Sequence, residues 1–382
     1  VIIDALFGSG LSKPLKGLPA KLVRHLNQTS NMRIAIDIPS GIFSDVSVPE
    51  KNAVRFKADY TLSFQFPKLA FFMPENDAFV GDWQVLDIGL SADFITKTET
   101  SYYLLNHQYL QSQLKVRTKY AHKGTYGHGL LIAGSRGKMG AAVLAGKAAL
   151  RAGAGLVSVH HPKAGMAVIP TAVPELMTSI DADESVFSEA PDLTKYNAIA
   201  IGPGLGTHKK TQNAFKLLIQ ETKVPLIIDA DGLNILSENK TWLAFLPPNS
   251  ILTPHVKEFE RLTGKANNDF DQLQKQRAFA QKWGVYVILK GAHTRIATPS
   301  GQVFFNSTGN PGMATGGSGD VLTGILLGLS SQNYTPLNTC LLGVFLHGLA
   351  GDLAVETKGQ YSLISGDIID YLGEAFLSLL HA

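Results

Sequence analysis

The stretch NPGMATGGSGDVLTG, residues 310–324, fixes how the rest of the chain is understood. It sets Gly316, Gly317 and Gly319 just ahead of Asp320, and the apolar residues that follow, Val321, Leu322, Ile325, Leu326 and Leu329, recur at helical spacing. A helix therefore starts at a glycine corner. The first N–H groups of such a helix lack intrahelical partners and face whatever precedes them, and glycine admits a phosphate oxygen where a Cβ would obstruct it. A carboxylate at Asp320 repels phosphate unless it has a proton to move or a metal to hold. Asp320 is therefore a candidate base beside a nucleotide phosphate. The plainer alternative is a glycine-rich turn with aspartate as helix cap.

Outward from that corner, no charged side chain lies between Asp320 and Asp352. Ser330, Ser331, Gln332, Asn333 and Pro336 divide the run into two apolar pieces, each expected to be too short to span a bilayer and to form a buried helix, the second over about residues 339–357. A last helix is expected over about residues 366–380. Cys340, the single cysteine, lies in the second piece; it has no internal partner and reads as a buried, inert thiol. The chain has 382 residues, 45% of them hydrophobic, with 37 glycines, enough for one large core and a smaller one in an α/β protein. Its net charge of +3 is small and its basic residues are scattered, which argues against nucleic acid or an anionic membrane as partner. One cysteine fits a reducing cytoplasm. The chain opens on Val1 without a basic region before its apolar stretch, so a fragment or a processed chain is expected.

The first hundred residues have their own grammar. VIIDALFGSGL (residues 1–11) and RIAIDIPSG (residues 33–41) each read as a buried strand ending in a glycine loop, with a helix between them, hence two parallel strands. Each delivers an aspartate, Asp4 and Asp37, near its carboxyl end, where open α/β sheets bind ligands. Two further strand-like runs follow with no strong helix, too few helices to cover both faces of a parallel sheet. Residues 91–122 are mostly polar and hold the expected domain boundary. Beyond them, strand and helix alternate: LLIAG, then a helix over about residues 141–152, LVSVHH, AIAIGPGLG and PLIIDADGLNIL. SILTPHVKEFERL, VYVILKGAHTRIATP and VFFNST continue the sheet. One layered α/β domain with a mostly parallel sheet is the expected architecture.

Several strand-end loops could carry chemistry. KGTYGHGLLIAGSRGKMGAAV has glycines at Gly124, Gly127 and Gly129 before a strand, so it is no dinucleotide fingerprint, which needs a strand first. GPGLG, residues 202–206, either brings backbone close to a ligand or turns tightly. Asp229 and Asp231 either hold Mg²⁺ through water or cap a helix. His255 is either a site residue or a structural hydrogen-bonder, and Lys290 either meets a nucleotide phosphate or snorkels at the surface. Zinc-ligand spacing, a GxSxG elbow, an HExxH pair and the P-loop pattern are all absent from the sequence.

In this order, KGTYGHGLLIAG, GPGLG, DADGLN, TPHVKEFERLTG, LKGAHT and NPGMATGGSGDVLTG resemble the NAD(P)H-hydrate dehydratase family, a branch of the ribokinase-like superfamily, over essentially all of residues 100–382. VIIDALFGSGLSKP and AIDIPSG resemble the second half of an NAD(P)H-hydrate epimerase domain. The resemblance implies a truncated, partly Rossmann-like domain over residues 1–97 and a ribokinase-like dehydratase over residues 98–382. It implies a metabolite-repair enzyme that returns the S form of NAD(P)H hydrate to NAD(P)H with ADP or ATP and Mg²⁺, phosphorylating the hydroxyl and then losing phosphate, in the cytoplasm and as a homo-oligomer, a tetramer by analogy.

By the same resemblance Asp320 is the base; Ala141, Gly204, His255 and Asp320 contact the hydrate. Lys290, Gly291, Ala292, His293, Thr294, Gly317 and Gly319 contact the nucleotide. In the first domain Asp4 and Ser40 would be the remaining K⁺ ligands, Asp37 a catalytic and substrate residue, and Lys13 its partner. The epimerase family's Asn-Asn-Gly-Gly-Asp loop has no counterpart in this sequence, so epimerase activity is expected to be absent. The alternatives are a ribokinase-like kinase of a sugar or vitamin-precursor alcohol, against which TPH stands where such kinases commonly show TPN, and a nucleotide-binding module without turnover, which would not need Asp320.

Overall fold

The computed structural model describes residues 1–50 and 52–381. Two compact units result, Val1–Tyr102 with Ala266–Lys275, and Tyr103–Lys265 with Gln276–Ala382. In the first, β1 (Ile2–Asp4), β2 (Arg33–Ile36), β3 (Tyr60–Phe64) and β4 (Asp82–Leu86) form a parallel sheet in the order β1-β2-β3-β4. Helix Gly17–Leu26 connects β1 to β2 and buries Ala20 and Val23 in a small core with Leu15, Ala35, Phe56 and Ala58. Among the described residues, no helix longer than four residues lies between β2 and β4, in line with the shortage expected from the sequence.

The second unit is built on ten strands: β5 (Tyr102–Leu104), β6 (His128–Ile132), β7 (Leu156–His161), β8 (Met177–Ile180), β9 (Ala198–Ile201), β10 (Leu226–Ile228), β11 (Ile251–Leu252), β12 (Tyr286–Leu289), β13 (Arg295–Ala297) and β14 (Val303–Phe305). Their order is β5-β14-β13-β12-β11-β10-β9-β6-β7-β8. From β8 through β12 all pairs are parallel, and β12, β13 and β14 close antiparallel. The inner strands β9 and β10 are buried at every residue, the continuous apolar pattern of a sheet covered on both faces. Because β6 to β8 run outward one way and β9 to β12 the other, the strand order reverses between β6 and β9. In an open α/β sheet that switch point leaves a crevice at the carboxyl ends of the strands.

Helix Ser318–Ser331 is the core helix of this unit, with ten buried residues. It lies against helix Met139–Arg151 by way of Gly324 and Gly328: a Cβ on Gly324 would sit 2.1 Å from the Ala145 carbonyl oxygen, and one on Gly328 2.5 Å from that of Ala149. Two glycines one turn apart thus let the helices approach backbone to backbone and hold the glycine corner rigidly beside the sheet.

Three expectations change. Residues 91–122 are not merely polar linker: they contain helices Ala92–Lys97 and His107–Gln113 and strand β5, each too short to show a period. The second apolar piece is one helix of 23 residues, Pro336–Lys358, long and apolar enough by composition to cross a membrane; 67% of its apolar window is buried inside the fold, as befits a core helix. The last helix is interrupted at Tyr371, giving Ser365–Asp370 and Leu372–His381.

Candidate active site

Parallel pairing brings the carboxyl ends of β6, β9, β10, β11 and β12 to one edge of the sheet, and the residues that follow them are Gly134, Gly202, Asp229, the Thr253 to His255 turn, and Lys290. The glycine corner arrives at the same place from helix Ser318–Ser331. Gly317 caps that helix in the left-handed region, φ +92°, and the Asp320 carboxylate makes no cap bond. Asp320 is therefore not a helix cap. No hydrogen bond to its carboxylate is seen among the described residues. Burial, then the nearby Asp229 charge, push its pKa up to about 6; Lys290 pulls it down and Asp231 adds to the rise. A carboxylate so tuned can accept a proton near neutrality.

Lys290 follows β12, joined to His255 by a parallel bridge and by its N–H donating to the Pro254 carbonyl at 3.0 Å. Its ammonium does not snorkel. Nζ is 2.8 Å from Asp229 Oδ1, and it lies 3.3 Å from where a Gly319 Cβ would stand. Asp229 is 2% exposed, and its Oδ2 accepts from Thr323 Oγ1 at 2.8 Å. Asp229 occupies the N-cap position of helix Ala230–Glu238 without capping it. Both carboxylate oxygens are thus engaged by Lys290 and Thr323 and neither caps the helix, which corrects the helix-cap reading of this residue.

Asp231, two residues on, serves the other side of the crevice. Its Oδ2 accepts from the Gly206 N–H at 2.7 Å and lies 3.5 Å from Lys138 Nζ, and Oδ1 accepts from Asn234. Ser135 donates to the Gly204 carbonyl at 2.8 Å, and the Gly134 N–H to that of Pro203. A Cβ on Gly204 would be 3.0 Å from Ala141 Cβ and 2.6 Å from the Lys138 carbonyl oxygen, with φ +61°. Ala141 and Gly204, named separately in the sequence, are therefore neighbours at the switch point, and DADGLN links them to the glycine corner.

A cavity of about 600 Å³ opens beside that corner, its lining including Lys290, Gly291, Ala292, Thr294, Gly319 and His255, with loop residues Asn306, Thr308 to Pro311, Met313 and Ala314, and His347. Its size suits a nucleotide-sized ligand. His293 is turned to the Asn306 carbonyl, and Gly317 sits behind at the helix cap; neither lines the cavity. His255 is a capping residue: its Nδ1 accepts from the Lys257 and Glu258 N–H groups, and Glu258 Oε2 accepts from the His255 N–H at 2.8 Å. Its structural hydrogen bonding and its place in the cavity wall coexist.

Several site residues gave no sequence signal. His347, from helix Pro336–Lys358, donates through Nε2 to the Ser318 carbonyl at 3.0 Å, since a carbonyl only accepts. Burial holds its pKa down at about 4, so the ring is neutral. Asp352 grips the cavity loop, accepting from the Gly309 N–H at 2.8 Å and from Asn310 Nδ2 at 2.9 Å. Both sit in an apolar helix, where a lone polar residue has no pattern to betray it.

In the first unit, Asp4 is buried at 2% exposure, with Oδ1 accepting from Ser40 Oγ and Oδ2 from the Ser40 N–H, each at 2.7 Å. No cation pairs with Asp4 among the described residues. Asp37, at φ +68°, pairs with Lys68 at 2.7 Å and not with Lys13, which is exposed. Lys68 reaches it because it follows the end of β3, the strand beside β2; this corrects the expected partner.

The family model described as NAD(P)H-hydrate dehydratase matches residues 129–373, and that described as YjeF-related protein N-terminus matches residues 1–70. The second match leaves the expected absence of epimerase activity without support. The chain is 37% identical to the bifunctional NAD(P)H-hydrate repair enzyme Nnr of Moorella thermoacetica, over 97% of this chain and 72% of that protein. It is 32% identical to the enzyme of the same name in Escherichia coli, over 97% and 70%. Among solved structures it is similar to the ADP/ATP-dependent NAD(P)H-hydrate dehydratase from Bacillus subtilis co-crystallised with ATP/Mg²⁺, at 32% identity and TM-score 0.62, covering 72% of this chain and 98% of that one. A ribokinase-like superfamily protein from Enterococcus faecalis aligns at 28% identity and TM-score 0.64, covering 75% and 99%. With the family model and these relatives in agreement, the chain belongs to the NAD(P)H-hydrate dehydratase family, with a YjeF-related segment ahead of the dehydratase region.

Proposed function

We propose that the second unit dehydrates the S form of NAD(P)H hydrate, using ADP or ATP as phosphoryl donor. The observation that carries this is Asp320: an unbonded carboxylate with a raised pKa in the first turn of a glycine-capped helix, between a nucleotide-sized cavity and the switch-point crevice. Asp320 takes the proton from the hydrate hydroxyl as that oxygen attacks the terminal phosphorus. The bond to the leaving phosphate of the nucleotide breaks, and the helix N-terminus and Lys290 bear the transferring charge. The phosphorylated hydroxyl then leaves as phosphate, pushed by the ring-nitrogen lone pair, and loss of a proton from the neighbouring carbon restores the double bond. The hydrate is assigned to Ala141, Gly204, His255 and Asp320, the nucleotide to residues 290–294 with Gly317 and Gly319.

A magnesium ion would screen the phosphate charge. No group of three or more His, Cys, Asp or Glu side chains is gathered for a metal among the described residues, so phosphate oxygens and water would supply most of its ligands. The domain division is placed between residues 97 and 98. In the first unit, K⁺ is assigned to Asp4 and Ser40, because a buried carboxylate without a cationic partner fits a monovalent cation; Asp37, paired with Lys68, completes the epimerase-type remnant. The working form is taken to be a cytoplasmic homo-tetramer.

The test mixes purified protein, Mg²⁺ and NADH hydrate with ADP or ATP and follows recovery of the reduced-cofactor absorbance. Recovery with either nucleotide supports the reading. No recovery with both, together with phosphorylation of an alcohol, overturns it in favour of a kinase.

A further inference from the structure

Lys290 carries more than a charge: its position is imposed. Lysine sits on a flexible four-carbon stem and ordinarily disperses its ammonium among many rotamers. Here the stem ends on Asp229, and Asp229 is itself held from the other side by Thr323, whose side chain is fully buried within the helix that starts at the glycine corner. We propose that Asp229 and Thr323 are positioning residues that hold the Lys290 ammonium at the start of helix Ser318–Ser331, ready to receive the terminal phosphate of the nucleotide.

Three observations carry this. First, a carboxylate at 2% exposure needs a cation, and Lys290 is the ion-pair partner that Asp229 has; withdrawing it would leave a buried charge uncompensated. Second, Asp229 stands where aspartate would ordinarily cap a helix and gives that bond up, directing Oδ1 to Lys290 and Oδ2 to Thr323. Third, a Cβ on Gly319 would lie 3.3 Å from Lys290 Nζ and 3.6 Å from Asp229 Oδ2, so the pair adjoins the backbone N–H groups that face an anion. An ammonium has three donors. Asp229 takes one, and the others remain for phosphate oxygens. A cation already in place spares the reaction its reorganisation, which is the usual gain of a preorganised charge. Thr323 matters because it fixes the orientation of the Asp229 carboxylate relative to the very helix that presents the N–H groups, so cation and helix start move as one body.

The proposal rests on the reading of the cavity as a nucleotide site. Its test is a double-mutant cycle in the full chain with Asp229→Asn, Lys290→Met and the two combined, read on nucleotide binding by calorimetry and, separately, on hydrate dehydration. Each single change is expected to weaken nucleotide binding or lower kcat about tenfold or more while leaving KM for the hydrate in place. The combined variant is expected to be no worse than Lys290→Met alone, because the carboxylate acts through the ammonium. Losses that multiply in the combined variant overturn the proposal. Should Asp229→Asn fail to fold, Thr323→Val and Thr323→Ser carry the test: Val is expected to lower kcat and Ser to restore it, and equal activity of Val and wild type overturns it. Nucleotide binding with the expected coupling, but without dehydration, would leave this clamp standing and remove the dehydratase reading.

Discussion

Replacing Asp320 by Asn separates what the carboxylate does for chemistry from what it costs the fold. In the native chain its pKa is pushed up to about 6 from 3.8, chiefly by burial and next by Asp229. Between those values the native state keeps a proton that the unfolded chain has released. The stability carried by that proton is complete below 3.8 and is lost as pH rises through about 6. At about 1.4 kcal/mol per pH unit the gap makes the ionised side chain cost up to about 3 kcal/mol at pH 8, less whatever solvent screens at this partly buried position. The amide of Asp320→Asn has the same size and no charge. The variant should therefore be more stable than wild type by about 1–3 kcal/mol at pH 8 and no more stable at pH 4, by denaturant titration at both values. Dehydration should fall about a hundredfold or more, with nucleotide still bound. A variant that gains nothing at pH 8, or gains equally at pH 4, refutes the buried, strained carboxylate; near-normal turnover refutes the base.

Other expectations follow from the same geometry. The rate of dehydration should rise with pH through about 6, as Asp320 loses its proton, and a profile flat from pH 5 to 7 would contradict its role. Gly324→Ala, whose Cβ would meet the Ala145 carbonyl oxygen at 2.1 Å, should destabilise the chain by about 1–3 kcal/mol or more in a denaturant titration. His347→Phe leaves the Ser318 carbonyl without its donor and should cost about 1–3 kcal/mol of stability together with weaker ATP binding, whereas His347→Gln should recover part of both. Potassium chloride in place of lithium chloride should raise the melting temperature, and Asp4→Asn should abolish that difference; no ion effect in wild type sinks the K⁺ assignment.

The local structure of the corner is legible in the sequence alone. Helical spacing after GGSGD gave the helix, and glycine placement gave its start, because both are properties of neighbouring residues. The βαβ grammar likewise gave the parallel pairing of β1 with β2 and the strands of the second unit. Short pieces escaped it: β5 has three residues, and β8, with exposed positions, lacks an apolar run. A polar residue's partner also escaped it, since an ion pair such as Asp37 with Lys68 depends on which strand lies beside which.

The sequence by itself therefore determined that this chain has a helix starting at a glycine corner with an acid in its first turn, glycine-rich strand-end loops, and the motif order of its family. Tertiary structure decided which of its acids are paired, and with what. Asp229, Asp231 and Asp320 look alike in sequence, each an aspartate near a helix start. The switch in strand order sets Asp231 against the Gly202 to Gly206 loop, the helix packing at Gly324 and Gly328 brings Thr323 onto Asp229, and β12 delivers Lys290 to its other oxygen. Asp320 alone is left without a partner. A carboxylate's charge state depends on burial and on the sign of its neighbours, and both are set by chain segments some tens to ninety residues away in sequence, which is why only the folded chain distinguishes the unpaired carboxylate from the paired ones.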